Sequence, residues 1–415
     1  MTPGCLRCFS RIAFGRGLVA LSDMLSSMLL VALLVALLGL PSGCATLAPP
    51  PSPTPWLHDA LFDHPPRPAE ADGVMALDAS MHRYLDGVLA GAVHHKGRAR
   101  ALAEALYARG ELQLDYDSSV TRNAAQAFAA RSGNCLSLVL MTAALARELG
   151  LEVSYQSATA GEYYSRQGNL TLQAGHINLV LAPRQSRWYQ NGIHYMQEGD
   201  AMRIDFLPPE ALRGQRSVPI SEQRVLAMFM NNRAVEALQR QPLAQAYAWA
   251  REALRLDPGF LAAYNTLGVV YQRAGHPVPA AAAFEQVLAQ DPRHLPAMVN
   301  LAPVLRTLGR HDEADRWTAL RQALRPHAPF HFLGLAEGAL ARGDLAQARD
   351  LLDREEAVTG DTHELYFQRA QLHLAMGREG PAEAALQRAM DTSETQRQRQ
   401  AYAGKLARLR ALAAH

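Results

Sequence analysis

Three residues of the sequence have the side chains that thiol-based acyl transfer needs, Cys135, His176 and Asp205. A thiol becomes a strong nucleophile when a neighbouring imidazole takes its proton, and a carboxylate can hold that imidazole in the correct tautomer. The chain has four cysteines, of which Cys5 and Cys8 lie in a removable N-terminal segment and a third is a candidate lipid site. One thiol therefore remains in the folded part of the protein.

The element that carries Cys135 is predicted to be a helix from about 135 to 148, because apolar residues recur there at helical spacing and a glycine follows. Cys135 then falls on the first turn. Unpaired N–H groups and the positive end of the helix dipole favour thiolate over thiol at that position. Upstream, residues 80–131 are predicted to form several helices, one of which starts near Asp117.

Beyond the helix the apolar pattern changes to alternation, which predicts a sheet. The predicted strands and hairpin are 151–156, 175–181, 187–196 around Asn191-Gly192, and 202–207. His176 and Asn178 lie on one face of the second strand, opposite its apolar face. Residues 157–170 are predicted to be a long connection between strands, either a substrate gate or an insertion.

The stretch Gly-Asn-Cys135, followed by a helix ending in Ala-Leu-Ala-Arg-Glu-Leu-Gly and then by a strand, resembles the transglutaminase-like superfamily of papain-related thiol enzymes. The resemblance covers roughly residues 100–210. It implies an α+β domain in which Cys135 is the nucleophile, His176 the base and Asp205 the residue that orients the imidazole.

Several alternatives remain open beside that assignment. Asp200 is the alternative acid and His194 the alternative base. Asn178 stands where an aromatic residue often follows the family's histidine, and Phe-Leu follows Asp205 where Pro or Thr is more usual. Hydrolysis of an amide bond and transfer of the acyl group to an amine use the same triad, so the resemblance implies a cysteine protease, an amidase or an acyltransferase. A non-catalytic scaffold that keeps the fold is the alternative from another class, with Cys135 as a small core residue.

The C-terminal half repeats an internal pattern. Pro258, Pro292 and Pro326 stand 34 residues apart, each closing a segment of similar small and aromatic residues. The best copy contains Tyr264, Leu267, Gly268, Tyr271, Ala280 and Phe284. It resembles the tetratricopeptide repeat, a helix-turn-helix unit of that period, and its small residues let the paired helices approach closely.

Five such units are predicted from about 227 to 392, followed by a capping helix at 393–415 that shields the last unit. Arrays of this kind often bind a peptide or protein, although they also occur as spacers. The sequence therefore predicts a protein partner for the array.

The N-terminal segment 1–43 has the pattern of an export signal, with Met24 as an alternative start. Three arginines precede an uncharged apolar run of 13 residues at 28–40, which is shorter than the roughly 20 residues that span a bilayer. The run ends at Pro-Ser-Gly-Cys44, which resembles a bacterial lipoprotein signal whose cysteine is acylated. Ordinary cleavage nearby and an uncleaved anchor are the alternatives.

A proline-rich linker, 44–55, follows the candidate lipid site. Ala45 stands where Asp would resemble an inner-membrane retention signal, so the resemblance favours the outer membrane. The predicted location is the periplasmic face of a bacterial membrane, with lipid attachment at Cys44. Because that compartment is oxidising, a single unpaired thiol there calls for an explanation.

Charge and composition exclude other classes of function. The formal net charge is +2, all of it from residues 1–43, and a neutral remainder argues against a nucleic-acid surface. The chain has two lysines, Lys96 and Lys405, and neither follows a Gly-rich phosphate-binding loop. No metal, nucleotide or redox cofactor is indicated.

The predicted fold class is thus an α+β transglutaminase-like domain at 56–222 followed by an all-α tetratricopeptide-repeat solenoid at 223–392. The predicted function is thiol-dependent amide cleavage or acyl transfer on a peptide or protein recruited by the repeats.

Overall fold

The computed structural model describes residues 54–413 except 108–111, 113, 119, 168–169, 184–200, 207–215, 241, 328–329 and 394–395. Cys44, the predicted hairpin at 187–196, His194 and Asp200 lie outside the described residues. Within the described part of the chain, no helix is long and apolar enough to cross a membrane.

The N-terminal half combines short helices with two small sheets. Its helices are α1 (Ala79–Arg83), α2 (Ala90–Lys96), α3 (Arg98–Tyr107), α4 (Ala124–Ala130) and α5 (Cys135–Glu148), with a π-helical stretch, Tyr84–Leu89, between the first two. The helix that begins at Cys135 has the predicted bounds. The prediction of a helix starting near Asp117 is wrong, because β1 (Asp115–Tyr116) lies there and pairs in parallel with β2 (Ser132–Gly133). The next helix begins only after Asn123, whose side chain forms a capping box with Gln126.

The larger sheet has four antiparallel strands in the order β5-β4-β3-β6. They are β3 (Leu151–Gln167), β4 (Leu170–Pro183), β5 (Met202–Ile204) and β6 (Arg216–Ile220). The prediction of a connection at 157–170 is wrong, because β3 continues through most of it and pairs with β4 as far as Gln167 and Leu170, with one irregularity between Ala158 and Tyr163. β6 was not predicted, since Pro219 interrupts its pattern; an edge strand tolerates that proline.

The C-terminal half is a helical repeat array that resembles a tetratricopeptide solenoid. Among the described residues, ten helices form five consecutive pairs: α6 (Glu222–Arg240) with α7 (Leu243–Leu256), α8 (Leu261–Arg273) with α9 (Pro277–Gln290), α10 (Leu295–Thr307) with α11 (His311–Leu324), α12 (His331–Ala341) with α13 (Leu345–Thr359), and α14 (His363–Ala375) with α15 (Glu379–Asp391). The second helix of each pair begins 34 residues after the second helix of the pair before it. α16 (Gln396–Ala413) packs against the last pair.

The turn within a pair and the contact between its helices both depend on glycine. Gly275 and Gly309 end the first helices of their pairs with φ of +79° and +74°, a backbone conformation that glycine adopts without strain. At Gly268 a Cβ atom would lie 2.5 Å from Cε1 of Phe284. The predicted close approach of the two helices at Gly268 is therefore confirmed.

The hydrophobic core does not stop at the predicted boundary between 222 and 223. One cluster of buried apolar residues extends from Phe62 to Ala314 and includes the sheet, α5 and the first pairs of the array. The fourth and fifth pairs have two smaller clusters of their own. An ion pair also joins the two halves, because Arg147 near the end of α5 bonds both carboxylate oxygens of Glu222 at the start of α6.

The segment 54–67 lies against the array rather than the sheet. Trp56 packs edge-on against Tyr264, with ring centroids 5.5 Å apart, and Phe62 stacks on Tyr247 at 4.4 Å. The first two pairs of helices therefore hold the chain that precedes α1.

Candidate functional site

Cys135 is the first residue of α5, and two neighbours fix that helix start. The side chain of Asn134 caps the helix, since its Oδ1 accepts hydrogen bonds from the backbone N–H of Ser137 at 2.9 Å and from its hydroxyl at 2.8 Å. A Cβ atom at position 133 would lie 2.6 Å from Cβ of Ser137, so only glycine fits there. The motif Gly-Asn-Cys thus holds a partly buried thiol at the amino end of a helix.

The cap is itself anchored to the first helix of the array. The amide nitrogen of Asn134 donates to Oγ1 of Thr121 at 2.9 Å, and the backbone N–H of Thr121 donates to Glu236 on α6 at 2.6 Å. The position of Cys135 therefore depends on contacts in both halves of the molecule.

His176 and Asp205 meet because their strands are neighbours. His176 lies on β4, and Asp205 directly follows β5, which pairs with β4 through Leu179 and Ile204. Nε2 of His176 lies 2.7 Å from Oδ1 of Asp205, and both side chains are largely buried. A short contact in a water-poor setting makes this a strong, charge-assisted hydrogen bond.

The same imidazole interacts with the thiol. Burial alone would lower the pKa of His176, but hydrogen bonds with Asp205 and with Cys135, together with the charges of both groups, raise it to about 9. Because Nε2 is taken by Asp205, Nδ1 is the ring nitrogen left for the sulfur. With a pKa of about 9, the ring is protonated at neutral pH.

Two further residues hold Asp205, and sequence reasoning did not assign them that role. Asn178 is 2% exposed, and its amide nitrogen donates to Oδ2 of Asp205 at 3.0 Å. The hydroxyl of Tyr107, at the end of α3, donates to the backbone carbonyl of Asp205 at 2.7 Å. The position of Asn178, two residues after His176 on the same strand face, was a usable signal for the first contact. Nothing in the local pattern marks Tyr107.

The structure thus brings Cys135, His176 and Asp205 into one connected group, while the catalytic roles assigned to them stay predictions. The alternatives His194 and Asp200 lie outside the described residues. Among the residues the structure describes, no group of three or more His, Cys, Asp or Glu side chains could hold a metal ion.

Comparison with known proteins gives matches among solved structures alone. No family model matches the chain, and no curated protein matches it closely enough to count as a relative. A thermophilic TPR protein of Thermus thermophilus is 22% identical, over 44% of this chain and 99% of that chain, with a TM-score of 0.26. PilF of Pseudomonas aeruginosa is 21% identical, over 46% and 94%, with a TM-score of 0.26. YrrB, described as a TPR protein with an unusual peptide-binding site, is 19% identical, over 43% and 92%, with a TM-score of 0.24.

These similarities each cover less than half of this chain. The assignment of helical repeats rests on the chain's own features, the 34-residue spacing and the paired helices.

Proposed function

We propose that the protein is a thiol-dependent enzyme of the transglutaminase-like kind, cleaving an amide bond or transferring its acyl group. The proposal rests on one observation, the connected group in which Asp205 holds His176 at 2.7 Å and His176 bonds the Cys135 thiol. The sulfur of Cys135 attacks the carbonyl carbon and forms a C–S bond. His176 gives its proton to the departing nitrogen, so the C–N bond breaks and an acyl thioester remains.

The second half of the reaction restores the site. Water or an amine attacks the thioester, His176 takes the proton of that nucleophile, and the thiolate leaves. Backbone N–H groups on the first turn of α5, other than that of Ser137, which Asn134 caps, serve in this proposal as donors for the oxyanion that forms in each step. The substrate is a peptide or protein, since the helical repeats provide a surface suited to polypeptide binding.

A second candidate is a non-catalytic scaffold, which the repeat array itself favours. The array of five helix pairs spans about half of the described chain, and its first two pairs already bind a polypeptide segment, 54–67. In this reading Cys135 is a structural residue at a helix start and the group around it maintains the fold.

The experiment that separates the two candidates is the rate of iodoacetamide alkylation of Cys135 from acid to alkaline pH. A catalytic thiolate reacts fast even in mildly acidic buffer, and His176→Ala is expected to slow that reaction roughly 100-fold or more by removing its charged partner. His194→Ala, a matched change at the alternative base, is expected to change the rate little. Slow alkylation at every pH, indifferent to both substitutions, would mean a scaffold.

We further propose that Cys44 is lipidated and holds the protein at the periplasmic face of a bacterial membrane, the outer one being favoured. The resemblance of Pro-Ser-Gly-Cys44 to a lipoprotein signal supports this. In the bacterial host, Cys44→Ser is expected to leave an unlipidated protein in the aqueous phase of a detergent partition. Recovery of the variant in the detergent phase at unchanged mass would instead point to an uncleaved anchor.

A further inference from the structure

The array contains a groove between the second helix of its first pair, α7, and the first helix of its second pair, α8. Segment 54–67 of the same chain fills it, and we name it the first groove. Phe62 stacks on Tyr247 at 4.4 Å and is 7% exposed. The hydroxyl of Tyr271 donates to the carbonyl of Trp56 at 2.6 Å and accepts from the backbone N–H of His58 at 3.1 Å.

A buried arginine recognises the acidic residue of that segment. Arg251, 4% exposed, donates to Oδ1 of Asp59 at 3.0 Å and to the carbonyl of Pro65 at 2.9 Å. Tyr247 donates to the same carboxylate oxygen at 2.7 Å. An aromatic side chain, a carboxylate and three backbone groups thus account for the recognition of the segment.

An equivalent groove recurs three repeat periods later, between α13 and α14, and we name it the last groove. Tyr247, Arg251, Tyr271 and His276 of the first groove correspond, 102 positions further along the chain, to Arg349, Asp353, His373 and Arg378. All four of those residues line one cavity of about 130 Å³. The same place in the repeat is therefore filled by a polypeptide at one end of the array and open at the other.

The last groove differs from the first in charge. The lining of its cavity contains three arginines and a histidine but a single carboxylate, that of Asp353; the basic residues are Arg349, Arg369, Arg378 and His373. Arg369 donates hydrogen bonds to two carboxylates of α13, those of Asp353 at 2.9 Å and of Glu356. Among the described residues, neither Arg349 nor Arg378 has a carboxylate at ion-pairing distance, and the buried Nδ1 of His373 has no hydrogen-bond partner.

The remaining lining of the last groove is apolar. Leu352, Leu372 and Met376 form it. The volume of this cavity is close to the roughly 150 Å³ that accommodate a benzene ring, so it matches one aromatic side chain in size, as the first groove holds Phe62. Positive charge around an apolar pocket is complementary to a peptide that carries both an aromatic residue and carboxylates.

We propose that the last groove binds an acidic, aromatic segment of a partner protein, in the way that the first groove binds segment 54–67 of this chain. The aromatic side chain enters the cavity, and carboxylates on either side of it pair with Arg349 and Arg378. This site is independent of the thiol chemistry proposed for Cys135.

The test is fluorescence anisotropy of the full chain with a labelled peptide, Glu-Asp-Phe-Asp-Glu, and its uncharged twin, Gln-Asn-Phe-Asn-Gln. The acidic peptide is expected to bind at least tenfold more tightly than the twin. The double variant Arg349→Glu/Arg378→Glu is expected to lose at least tenfold in affinity. Both arginines are exposed, so the fold should survive, and unchanged circular dichroism and Cys135 alkylation would verify this.

Arg293→Glu, the same substitution at an exposed position outside the groove, is the matched control and is expected to leave affinity within twofold. Met376→Trp, which fills the cavity without changing charge, is expected to weaken binding as well. Equal binding of the two peptides, or equal losses in the control and groove variants, would overturn the proposal. Tighter binding of a peptide with the sequence of 54–67 than of the acidic probe would also overturn it, making the occupant a second copy of this chain.

Discussion

Two buried histidines, one in each half of the molecule, have pKa values shifted in opposite directions. The pKa of His176, bonded to Asp205 through Nε2, is raised to about 9. Burial lowers the pKa of His363, at the start of α14, to about 4. Nδ1 of His363 lies 2.9 Å from the hydroxyl of Tyr402, and its Nε2 lies 3.0 Å from the amide nitrogen of Gln398. Both rings are therefore hydrogen-bonded at two places, and the kind of partner decides the charge.

The tautomer of His363 explains the difference. An amide nitrogen donates and never accepts, so Nε2 of His363 is the acceptor and Nδ1 carries the ring hydrogen. The carboxylate of Glu364 lies 3.3 Å from Nε2, but that nitrogen has no hydrogen to give it. Burial is then unopposed and the ring stays neutral. The difference between the two rings indicates that a buried histidine keeps its proton, and can transfer it in a reaction, when a carboxylate accepts a hydrogen bond from the ring.

The largest expected effect comes from removing that carboxylate. Asp205→Asn is expected to lower the pKa of His176 from about 9 towards its ordinary 6.5, because the negative charge is lost and only a neutral amide oxygen remains to accept a hydrogen bond from the ring. Titration of the ring C–H signals by NMR measures the change. Asp200→Asn, at the alternative acid, is the matched control and is expected to leave the titration unchanged.

The same substitution has a stability signature. In the native protein the folded-state pKa of His176 exceeds its unfolded value of 6.5. The contribution of its protonation to the free energy of unfolding is therefore complete below pH 6.5 and is lost as the pH rises to about 9. A shift of that size corresponds to about 3 kcal/mol. Urea unfolding of Asp205→Asn should show a smaller decrease in the free energy of unfolding between those pH values than urea unfolding of the native protein. An unchanged alkaline decline would mean that Asp205 does not hold the proton on His176.

The sequence predicted several elements of the fold and the three residues of the candidate site, but it did not predict every strand or every contact. Helix α5 was predicted from apolar periodicity, and the repeat pairs were predicted from a pattern of prolines, small residues and aromatic residues that recurs every 34 positions. β6 was not predicted, because Pro219 interrupts the alternating pattern of this edge strand. The contact of Tyr107 with Asp205 spans 98 positions, so only the tertiary structure could reveal it. The opposite charge states of His176 and His363 depend on partners from distant elements, which no local window contains.

A medium effect is expected from replacing the amide donor beside Nε2 of His363 by a carboxylate. Gln398→Glu removes the donor that keeps Nε2 without a hydrogen and adds a second carboxylate to Glu364, so the pKa of His363 is expected to rise by at least about one unit from its value of about 4. The native ring stays neutral while the unfolded chain takes up a proton, so stability is lost as the pH falls from 6.5 towards 4. This loss of stability at acid pH should be smaller in the variant. Gln400→Glu, an equal charge change on an exposed part of α16, should leave the His363 titration as it was; matching responses in the two variants would refute the partner argument.

The smallest effect on the histidines is expected from a change within the array that touches neither of them. Gly268→Ala brings a Cβ atom to 2.5 Å from the Phe284 ring, so the helices must separate, at a cost of roughly 1–3 kcal/mol and a lower melting temperature. Gly334→Ala, on the exposed face of α12 with nothing within 4 Å, is the control and should stabilise by up to about 1 kcal/mol. Neither change should move the pKa of His176 or the alkylation of Cys135. Because α8 shares a core with the sheet, a shifted His176 titration in Gly268→Ala alone would show that strain in the array reaches the site through that core.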